Sequence, residues 1–247
     1  MTQAEPGHFE TSILDLFDRL AARDWVQAAT ELDEQGWTVL HGLFAPEEAD
    51  TLAALYERAH FRSHIVMERY NFGRGDYKYF SYPLPQVIAA LRSVIYPHLV
   101  PVANRWNAAM GINVEFPPHH EEFVARCHAA GQSRPTPLML DYGPEGFCAL
   151  HQDLYGEQVF PLQVVTLLSQ PGTDFSGGEF VLVEQRPRMQ SRPEVVPLAK
   201  GDALVLAVND RPAKGSRGYY RVRLKHGVSK LHSGHRRTLG IIFHDAT

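Results

Sequence analysis

Residues 142–153 read Tyr-Gly-Pro-Glu-Gly-Phe-Cys-Ala-Leu-His-Gln-Asp. The first five residues are typical of a turn, and the apolar run that follows predicts a β-strand ending near His151. Side chains two residues apart share one face of a strand. His151 and Asp153 can therefore converge on one metal ion if the extended backbone continues past the histidine.

Other His-x-acid pairs occur in this chain, which contains 13 histidines. His8 and Glu10 lie in the opening tail. The cluster of His119, His120 and Glu121 follows two prolines at the start of a predicted helix over residues 117–130. Acidic residues are common in a first helical turn, so we interpret this cluster as a solvated helix start.

A second histidine, His226, precedes a glycine turn and a returning apolar strand. A lone histidine on a strand is more often structural than a metal ligand, but Arg236 follows ten residues later. Arg236 and Thr238 share one face of the returning strand, and Arg237 lies on the other, which we expect to face solvent. An arginine that points into a barrel needs an anionic partner, which a dicarboxylate supplies through bidentate hydrogen bonds. Two imidazoles and one carboxylate can hold Fe(II) and leave open coordination positions.

The overall composition is that of a soluble globular protein. The chain has 247 residues, 44% of them hydrophobic and 21% charged, and it lacks an apolar run of about 20 residues. The first residues lack the layout of a signal peptide, so we expect a cytoplasmic protein without a membrane partner. Cys127 and Cys148 are predicted to be reduced thiols, and Cys148, which has the wrong strand parity relative to His151, to be a core residue.

The charge is distributed unevenly. Between residues 211 and 237 there are nine basic residues and no acidic one, which leaves 15 basic against 28 acidic residues, about −13, elsewhere. This basic stretch, residues 211–237, favours an electropositive mouth for an acidic substrate such as nucleic acid. The alternative is a set of solvated charges that pair with the acidic remainder. The nine residues are Arg211, Lys214, Arg217, Arg221, Arg223, Lys225, Lys230, Arg236 and Arg237.

The pattern along the chain predicts a single domain, residues 1–247, in two parts. Residues 1–136 form a mostly helical support region, and residues 137–247 contain short strands separated by turns, which is typical of a jelly roll. The fold class is thus mainly β with a helical N-terminal part (α+β). Predicted helices cover residues 9–33, 46–60, 117–130 and a pair over 85–110 interrupted at Pro97 and Pro101. Predicted strands cover residues 37–40, 137–142, 147–153, 159–169, 178–184, 195–198, 203–208, 221–228 and 238–243. Residues 61–82 are mixed, and whether they and residues 209–220 act as lids stays open.

These motifs resemble the prolyl-4-hydroxylase-like branch of the Fe(II)- and 2-oxoglutarate-dependent oxygenases. The Tyr142-Gly143 turn before His-x-Asp matches that branch, as do Gly177-Gly178-Glu179 and the spacing from His226 to Gly234 and Arg236. The resemblance covers roughly residues 137–243 and implies a double-stranded β-helix (jelly-roll or cupin-like) core flanked by helices. Residues 72–80 and 241–245 are similar to a narrower bacterial family described as dealkylating damaged DNA oxidatively.

The resemblance also implies a ligand set and cosubstrates. His151, Asp153 and His226 would bind Fe(II), and Arg236 would bind the C5 carboxylate of 2-oxoglutarate. Thr238 is a hydroxyl partner for that carboxylate, and Tyr142 is a further cosubstrate contact. O₂ is the second cosubstrate and ascorbate a candidate reductant. Asp153 argues against a halogenase variant, whereas Phe147 stands where the branch often has tyrosine.

Three functions remain open on sequence grounds. The first is a dioxygenase that hydroxylates its substrate with release of succinate and CO₂ and demethylates alkylated nucleic acid. It is favoured by the basic stretch and by aromatic residues that can stack on a base, namely Tyr70, Phe72, Tyr77, Tyr219 and Tyr220. The second is a hydroxylase of a protein side chain or a small metabolite. The third is a non-catalytic metal-binding cupin. The sequence fixes neither the substrate nor the oligomeric state.

Overall fold

A computed structural model describes residues 15–247 of the chain. Part of the predicted helix over residues 9–33, residues 9–14, lies outside the described residues. Residues 15–21 are helical, and the remaining helices are α1 (Trp25–Gln35), α2 (Pro46–Ala53), α3 (Leu55–Arg58), α4 (Gln86–Ala109) and α5 (His120–Ala129).

The strands, in chain order, are β1 (Trp37–Leu40), β2 (Phe61–Val66), β3 (Gly73–Arg74), β4 (Asp76–Phe80), β5 (Leu138–Tyr142), β6 (Phe147–His151), β7 (Leu162–Leu167), β8 (Phe175–Gly177), β9 (Phe180–Gln185), β10 (Arg192–Val196), β11 (Ala203–Ala207), β12 (Asp210–Gly215), β13 (Gly218–Val228), β14 (Leu231–Gly234) and β15 (Arg236–Ile242).

Two antiparallel sheets form the framework. The major sheet has the order β1-β11-β7-β15-β5-β4-β2, and the minor sheet has the order β10-β9-β13-β6-β3, with β12 paired to β13. Strands β5, β6, β7 and β9 alternate between the two sheets along the chain, as do β11, β13 and β15. This alternation is that of a double-stranded β-helix, so the predicted fold class is confirmed.

The central strands of the major sheet are covered on both faces. All residues of β7 and β11 are buried, which explains their continuous apolar runs. One face packs with α4 in the main hydrophobic cluster, and the other faces the minor sheet. The core thus extends on both sides of the major sheet, and the space between the two sheets is left for the site.

The helical pair predicted over residues 85–110 is one continuous helix, α4, which contains Pro97 and Pro101. An internal proline costs about 3 kcal/mol or more because it removes a backbone hydrogen bond. Here burial along the whole helix compensates, at Val87, Ile88, Leu91, Arg92, Ile95, Tyr96, Leu99, Val100, Val102, Ala103, Trp106 and Asn107.

Within residues 15–247, α4 is also the one helix that is long and apolar enough, by length and composition, to cross a membrane. Its buried residues belong to the main hydrophobic cluster of the protein.

The other predicted helices are broken or shortened by local signals. The side chain of Asp24 accepts a hydrogen bond from the backbone N–H of Gln27 and caps α1, which separates this helix from residues 15–21. The helix predicted over residues 46–60 divides at Ala54 into α2 and α3. The helix predicted over residues 117–130 begins at His120, which is buried and not solvated, with its Nε2 2.8 Å from the Phe243 carbonyl oxygen.

Residues 61–82, predicted as mixed, are mainly strands. Strands β2 and β4 extend the major sheet, and β3 pairs with β6 in the minor sheet. A Cβ at Gly73 would lie 2.2 Å from the Phe147 carbonyl oxygen, so glycine allows this close strand contact. Residues 210–215 likewise form β12, which makes a hairpin with β13. The region up to residue 136 is therefore helical in large part but also supplies four strands to the two sheets.

A buried ion pair fastens the end of the chain to α4. Arg92 donates to Asp245 at 2.8 Å, and the same carboxylate accepts from Tyr82 at 2.7 Å. His128 Nε2 lies 2.9 Å from it. Both members of the pair are almost inaccessible to solvent. Removing one partner leaves a buried charge without compensation, which is strongly destabilising.

We predict that Arg92→Met lowers the free energy of unfolding by about 3–5 kcal/mol. Urea denaturation measures this change. The matched control is Arg223→Met, which breaks the exposed pair with Asp210 and should cost less than about 1 kcal/mol. Equal losses in the two variants would contradict the assignment of the Arg92–Asp245 pair as a structural clamp.

Candidate active site

The structure brings His151, Asp153 and His226 together between the two sheets. His151 ends β6 and is paired across the strands with His226 of β13, and Asp153 follows two residues later. One ligand atom from each lies within 4.8 Å of the others. Asp153 is 3.6 Å from His151 Nε2 and 3.2 Å from His226 Nε2.

The three side chains differ in exposure. Asp153 and His226 are buried, whereas the side chain of His151 is 38% exposed. The cluster is therefore open to solvent on the side of His151.

A β-bulge in β6 sets the direction of these side chains. Val228 pairs with Cys148 and His226 pairs with His151, so β6 carries one extra residue over this interval. A Cβ at Gly227 would lie 2.6 Å from the Cys148 carbonyl oxygen, and glycine permits this close approach. The bulge reverses strand parity, which makes the prediction of Cys148 as a core residue wrong. Its sulfur is 3.6 Å from His151 Nδ1, and its side chain lines the same cavity.

The electrostatics favour an anionic Asp153. Burial alone would raise the pKa of this carboxyl, but His226, His151 and Tyr155 hold it well below its ordinary value. His151 Nδ1 donates to the Ala149 carbonyl oxygen at 2.9 Å, which leaves Nε2 free as a ligand atom. Two imidazoles and one carboxylate form the donor set that suits Fe(II) with open coordination positions.

Two tyrosines support the carboxylate from behind. The hydroxyl of Tyr155 donates to Asp153 Oδ1 at 2.6 Å, and the hydroxyl of Tyr79 donates to Tyr155 at 2.9 Å. Burial and the negative charge of Asp153 raise the pKa of Tyr155, so it stays a proton donor. Tyr155 was not predicted as a site residue from the sequence, in which its position two residues after Asp153 is the one indication of its role.

Arg236 lies at the other end of the cavity as a buried cation. It begins β15, opposite Tyr142 of β5, and its Nε has no hydrogen-bond partner among the described residues. Its guanidinium lies 5.9 Å from the ring centroids of Tyr142 and Phe175. Burial lowers the pKa of Arg236 to about 10. A buried cation with an unsatisfied donor fits a site that receives a carboxylate.

One cavity joins all six side chains that the sequence analysis selected. Thr238 and Tyr142 are buried in its wall, on the same side as Arg236. Gln163 of β7, which was not predicted from the sequence, places its Nε2 3.2 Å from His226 Nε2. Its Oε1 is buried and has no hydrogen-bond partner in the part of the chain that the structure describes. The cavity is lined by Leu138, Leu140, Tyr142, Cys148, His151, Asp153, Gln163, Val164, Val165, Phe180, His226, Gly227, Val228, Arg236, Thr238, Gly240 and Ile242.

The prediction that Arg237 faces solvent is wrong. Arg237 lies 3.1 Å from Asp141 and 3.5 Å from Glu57, and it packs over the ring of Tyr56 at 4.4 Å. Asp141 is the cross-strand neighbour of Arg237 on β5, whereas Tyr56 and Glu57 belong to α3, which packs against this side of β15. Strand alternation alone does not reveal these partners.

Part of the basic stretch is neutralised within the protein. Arg211 is completely buried and donates to Glu184 at 2.6 Å. Arg223, Lys230 and Arg237 also form ion pairs, with Asp210, Glu145 and Asp141 respectively. For these four residues the structure supports the alternative of internal pairing over that of a substrate surface.

Comparisons with known proteins agree with this geometry. The fold is similar to a Pseudomonas putida prolyl-4-hydroxylase (TM-score 0.52, 13% identity, 90% of this chain and 99% of that one). It is also similar to a prolyl hydroxylase from Trichoplax adhaerens (TM-score 0.55, 14% identity, 94% of this chain and 93% of that one). A 2OG-Fe(II) oxygenase family protein from Burkholderia pseudomallei gives a TM-score of 0.53 at 16% identity, with 92% and 94% covered. These likenesses show that the fold is a double-stranded β-helix.

Sequence comparison assigns the family. Residues 75–246 match the model of a family described as "oxygenase, catalysing oxidative methylation of damaged DNA". The chain belongs to this family. Two proteins of Mycobacterium tuberculosis, from strains CDC 1551 / Oshkosh and H37Rv and both named as uncharacterized, are 51% identical over 167 residues, 68% of this chain and 72% of theirs.

The hydrogen bond from Tyr155 to Asp153 generates a prediction about metal affinity. We expect Tyr155→Phe to weaken Fe(II) or Mn(II) binding about 10-fold or more, because partners behind metal ligands orient them. Isothermal titration calorimetry under anaerobic conditions measures the Kd. Tyr219→Phe, on the exposed β12–β13 hairpin, is the control and should leave it unchanged. An unaltered Kd in Tyr155→Phe would show that Asp153 is positioned without this contact.

Proposed function

We propose that this protein is an Fe(II)- and 2-oxoglutarate-dependent dioxygenase that oxidatively demethylates alkylated bases of nucleic acid. The observation that carries the proposal is the single cavity in which His151, Asp153 and His226 lie at one end and Arg236 at the other, a buried cation whose Nε has no hydrogen-bond partner within residues 15–247. A metal-chelating dicarboxylate would place negative charge at both ends of that cavity.

Each cavity residue has a role in this scheme. His151, Asp153 and His226 hold the iron, and Tyr155 fixes the orientation of Asp153. Arg236 and Thr238 bind the C5 carboxylate of 2-oxoglutarate, with Tyr142 beside them. When bound, iron, 2-oxoglutarate and O₂ together supply the oxidant that hydroxylates a C–H bond and yield succinate and CO₂.

The walls of the cavity protect that chemistry from water. The apolar side chains of Leu138 and Val165 from the major sheet and Phe180 from the minor sheet line the same cavity as the candidate metal ligands. On an N-methyl group, hydroxylation gives an unstable product that releases formaldehyde, whereas a hydroxylated carbon side chain remains an alcohol. The substrate that reaches the open side at His151 decides between these outcomes.

The family description supports nucleic acid as the substrate. Exposed basic residues of the minor sheet and its hairpin agree with it, namely Lys214, Arg217, Arg221 and Lys225. The second candidate is hydroxylation of a protein side chain or small metabolite, which the prolyl hydroxylase fold favours. Metal binding alone, as in a non-catalytic cupin, does not explain why the cation Arg236 is buried in the same cavity.

We further propose a cytoplasmic location and no membrane partner. Both cysteines are free thiols, with Cys127 buried and Cys148 beside the metal ligands. A reducing compartment would keep Cys148 and the iron reduced, with ascorbate as a candidate reductant.

The role of Arg236 is tested by Arg236→Gln. We expect 2-oxoglutarate binding to the Mn(II)-loaded protein to weaken at least about 30-fold, because a buried charged partner is lost, while Mn(II) affinity stays the same. Calorimetric titration of each ligand separates these effects. Arg237→Gln is the matched control and should retain both affinities. Tight 2-oxoglutarate binding by Arg236→Gln would remove the residue from the cosubstrate site.

The substrate class is tested by product analysis. We expect wild-type protein with Fe(II), 2-oxoglutarate and O₂ to release formaldehyde and succinate from an N-methylated oligonucleotide, and His226→Ala to release neither. His232→Ala, an exposed histidine of β14, serves as the control. Succinate coupled to a hydroxylated peptide or metabolite, without formaldehyde from oligonucleotides, would favour the second candidate.

A further inference from the structure

Two large aromatic side chains are exposed near the open side of the cavity. Tyr70 is 54% exposed and Phe72 is 48% exposed. Their rings stack on each other, with centroids 5.6 Å apart and planes inclined by 20°. Side chains of this size are usually found at least half-buried, and exposed apolar surface of this kind marks binding sites.

Strand pairing places this aromatic pair beside the metal ligands. The Phe72 carbonyl oxygen accepts a hydrogen bond from the Ala149 backbone N–H at 2.8 Å. Ala149 precedes His151 by two residues, which is about 7 Å along a strand. The platform, Tyr70 and Phe72, therefore lies next to the side on which His151 is open to solvent.

The segment that carries the platform is held in a defined conformation. Asn71, which lies between Tyr70 and Phe72 in the sequence, adopts a left-handed φ of 59°. The Phe72 N–H donates to the Met67 carbonyl oxygen at 3.1 Å, and the Met67 N–H donates to the Gly75 carbonyl oxygen at 2.9 Å. Met67 itself is buried and anchors the turn. The platform is thus preorganised, and its residues lose little conformational entropy on binding.

A third aromatic residue connects the platform to the cavity. Tyr77 is half-buried on β4, and burial raises its pKa to about 12, so the ring is neutral. Tyr77 packs against the hydrophobic cluster that contains Met67 of the platform turn, and Cys148 of the cavity wall packs against the same cluster.

We propose that Tyr70 and Phe72 form a stacking platform for an unpaired nucleobase next to the base that enters the cavity. This inference rests on the proposed function and deepens it to single-stranded nucleic acid or a strand with a flipped base. Every base offers a π-face, and stacking on aromatic side chains tolerates any sequence.

An exposed cation lies directly beside the platform. Arg69 precedes Tyr70 and is exposed, so it can contact a phosphate next to the stacked base. Arg74 lies 3.7 Å from Glu68 and is paired within the protein. A proline-rich peptide would need the rings but not Arg69.

The test measures binding of a short single-stranded oligonucleotide that carries one N-methylated base. Fluorescence anisotropy with Mn(II)- and 2-oxoglutarate-loaded protein gives the Kd. Tyr70→Ala and Phe72→Ala should each weaken binding about 10-fold, in the range known for loss of one stacked base. The ring-retaining variants Tyr70→Phe and Phe72→Tyr should remain within about twofold of wild type.

Two controls make the result specific. Val26→Ala removes an apolar side chain that is 79% exposed on α1 and should leave the Kd unchanged. An oligonucleotide with an abasic site in place of the base beside the methylated one should bind wild-type protein more weakly. With that oligonucleotide, the Kd of wild type and the Kd of Tyr70→Ala should be equal. Substrate-independent succinate formation reports whether each variant retains an intact metal and cosubstrate site.

The outcomes separate the platform from the proposed function. If wild-type protein oxidises methylated oligonucleotides and Tyr70→Ala and Phe72→Ala bind them equally well, the platform is overturned and the function stands. Loss of binding in the ring-retaining variants would likewise overturn it. If wild-type protein neither binds nor oxidises any oligonucleotide but oxidises a peptide that the alanine variants fail to bind, the proposed function and the nucleobase assignment fail together.

Discussion

The carboxylate of Asp153 is the group on which the rest of the site depends. It is a buried negative charge, and its desolvation is compensated by His226, His151 and the hydroxyl of Tyr155. The two histidines come from neighbouring strands of the minor sheet, and one bulge between those strands turns them towards the carboxylate. A metal cation bound among these three side chains would also compensate the buried negative charge of Asp153. The local electrostatics and the donor set therefore both favour a metal cation at this position.

A second buried charge, Arg236, balances the first across the cavity. The major sheet supplies Arg236 and Thr238 from β15, and the minor sheet supplies the histidines from β6 and β13. The double-stranded β-helix thus places a cation from one sheet opposite the metal ligands of the other. A dicarboxylate that chelates a metal and reaches Arg236 would satisfy both ends, which is the reason for proposing that 2-oxoglutarate binds in this cavity. The fold positions the chemistry, whereas the surface around His151 selects the substrate.

Much of the fold and the site could be predicted because local spacing carries the information. The His-x-Asp pair, the ten residues from His226 to Arg236, and the alternation on β15 gave five of the six cavity residues, and the family resemblance added Tyr142. Contacts that exist only in the folded chain explain the predictions that were wrong. The extra residue in β6 reversed the parity of Cys148, the packing of α2 and α3 supplied partners for Arg237, and burial kept α4 continuous through its prolines. Gln163 and Tyr155 reach the triad only through the folded chain, and the strands of residues 61–82 depend on distant partners for their hydrogen bonds.

The most direct test of the central claim is a calorimetric titration of 2-oxoglutarate into the protein with and without Mn(II), under anaerobic conditions, for wild type and Asp153→Ala. The account predicts that wild type binds one 2-oxoglutarate tightly only when the metal is present, because the metal ligands and Arg236 must act on the same molecule. Asp153→Ala should lose metal binding and, with it, the metal-dependent part of the 2-oxoglutarate affinity. Binding of 2-oxoglutarate that is equally tight without metal, or tight metal binding with no 2-oxoglutarate binding at all, would contradict the account.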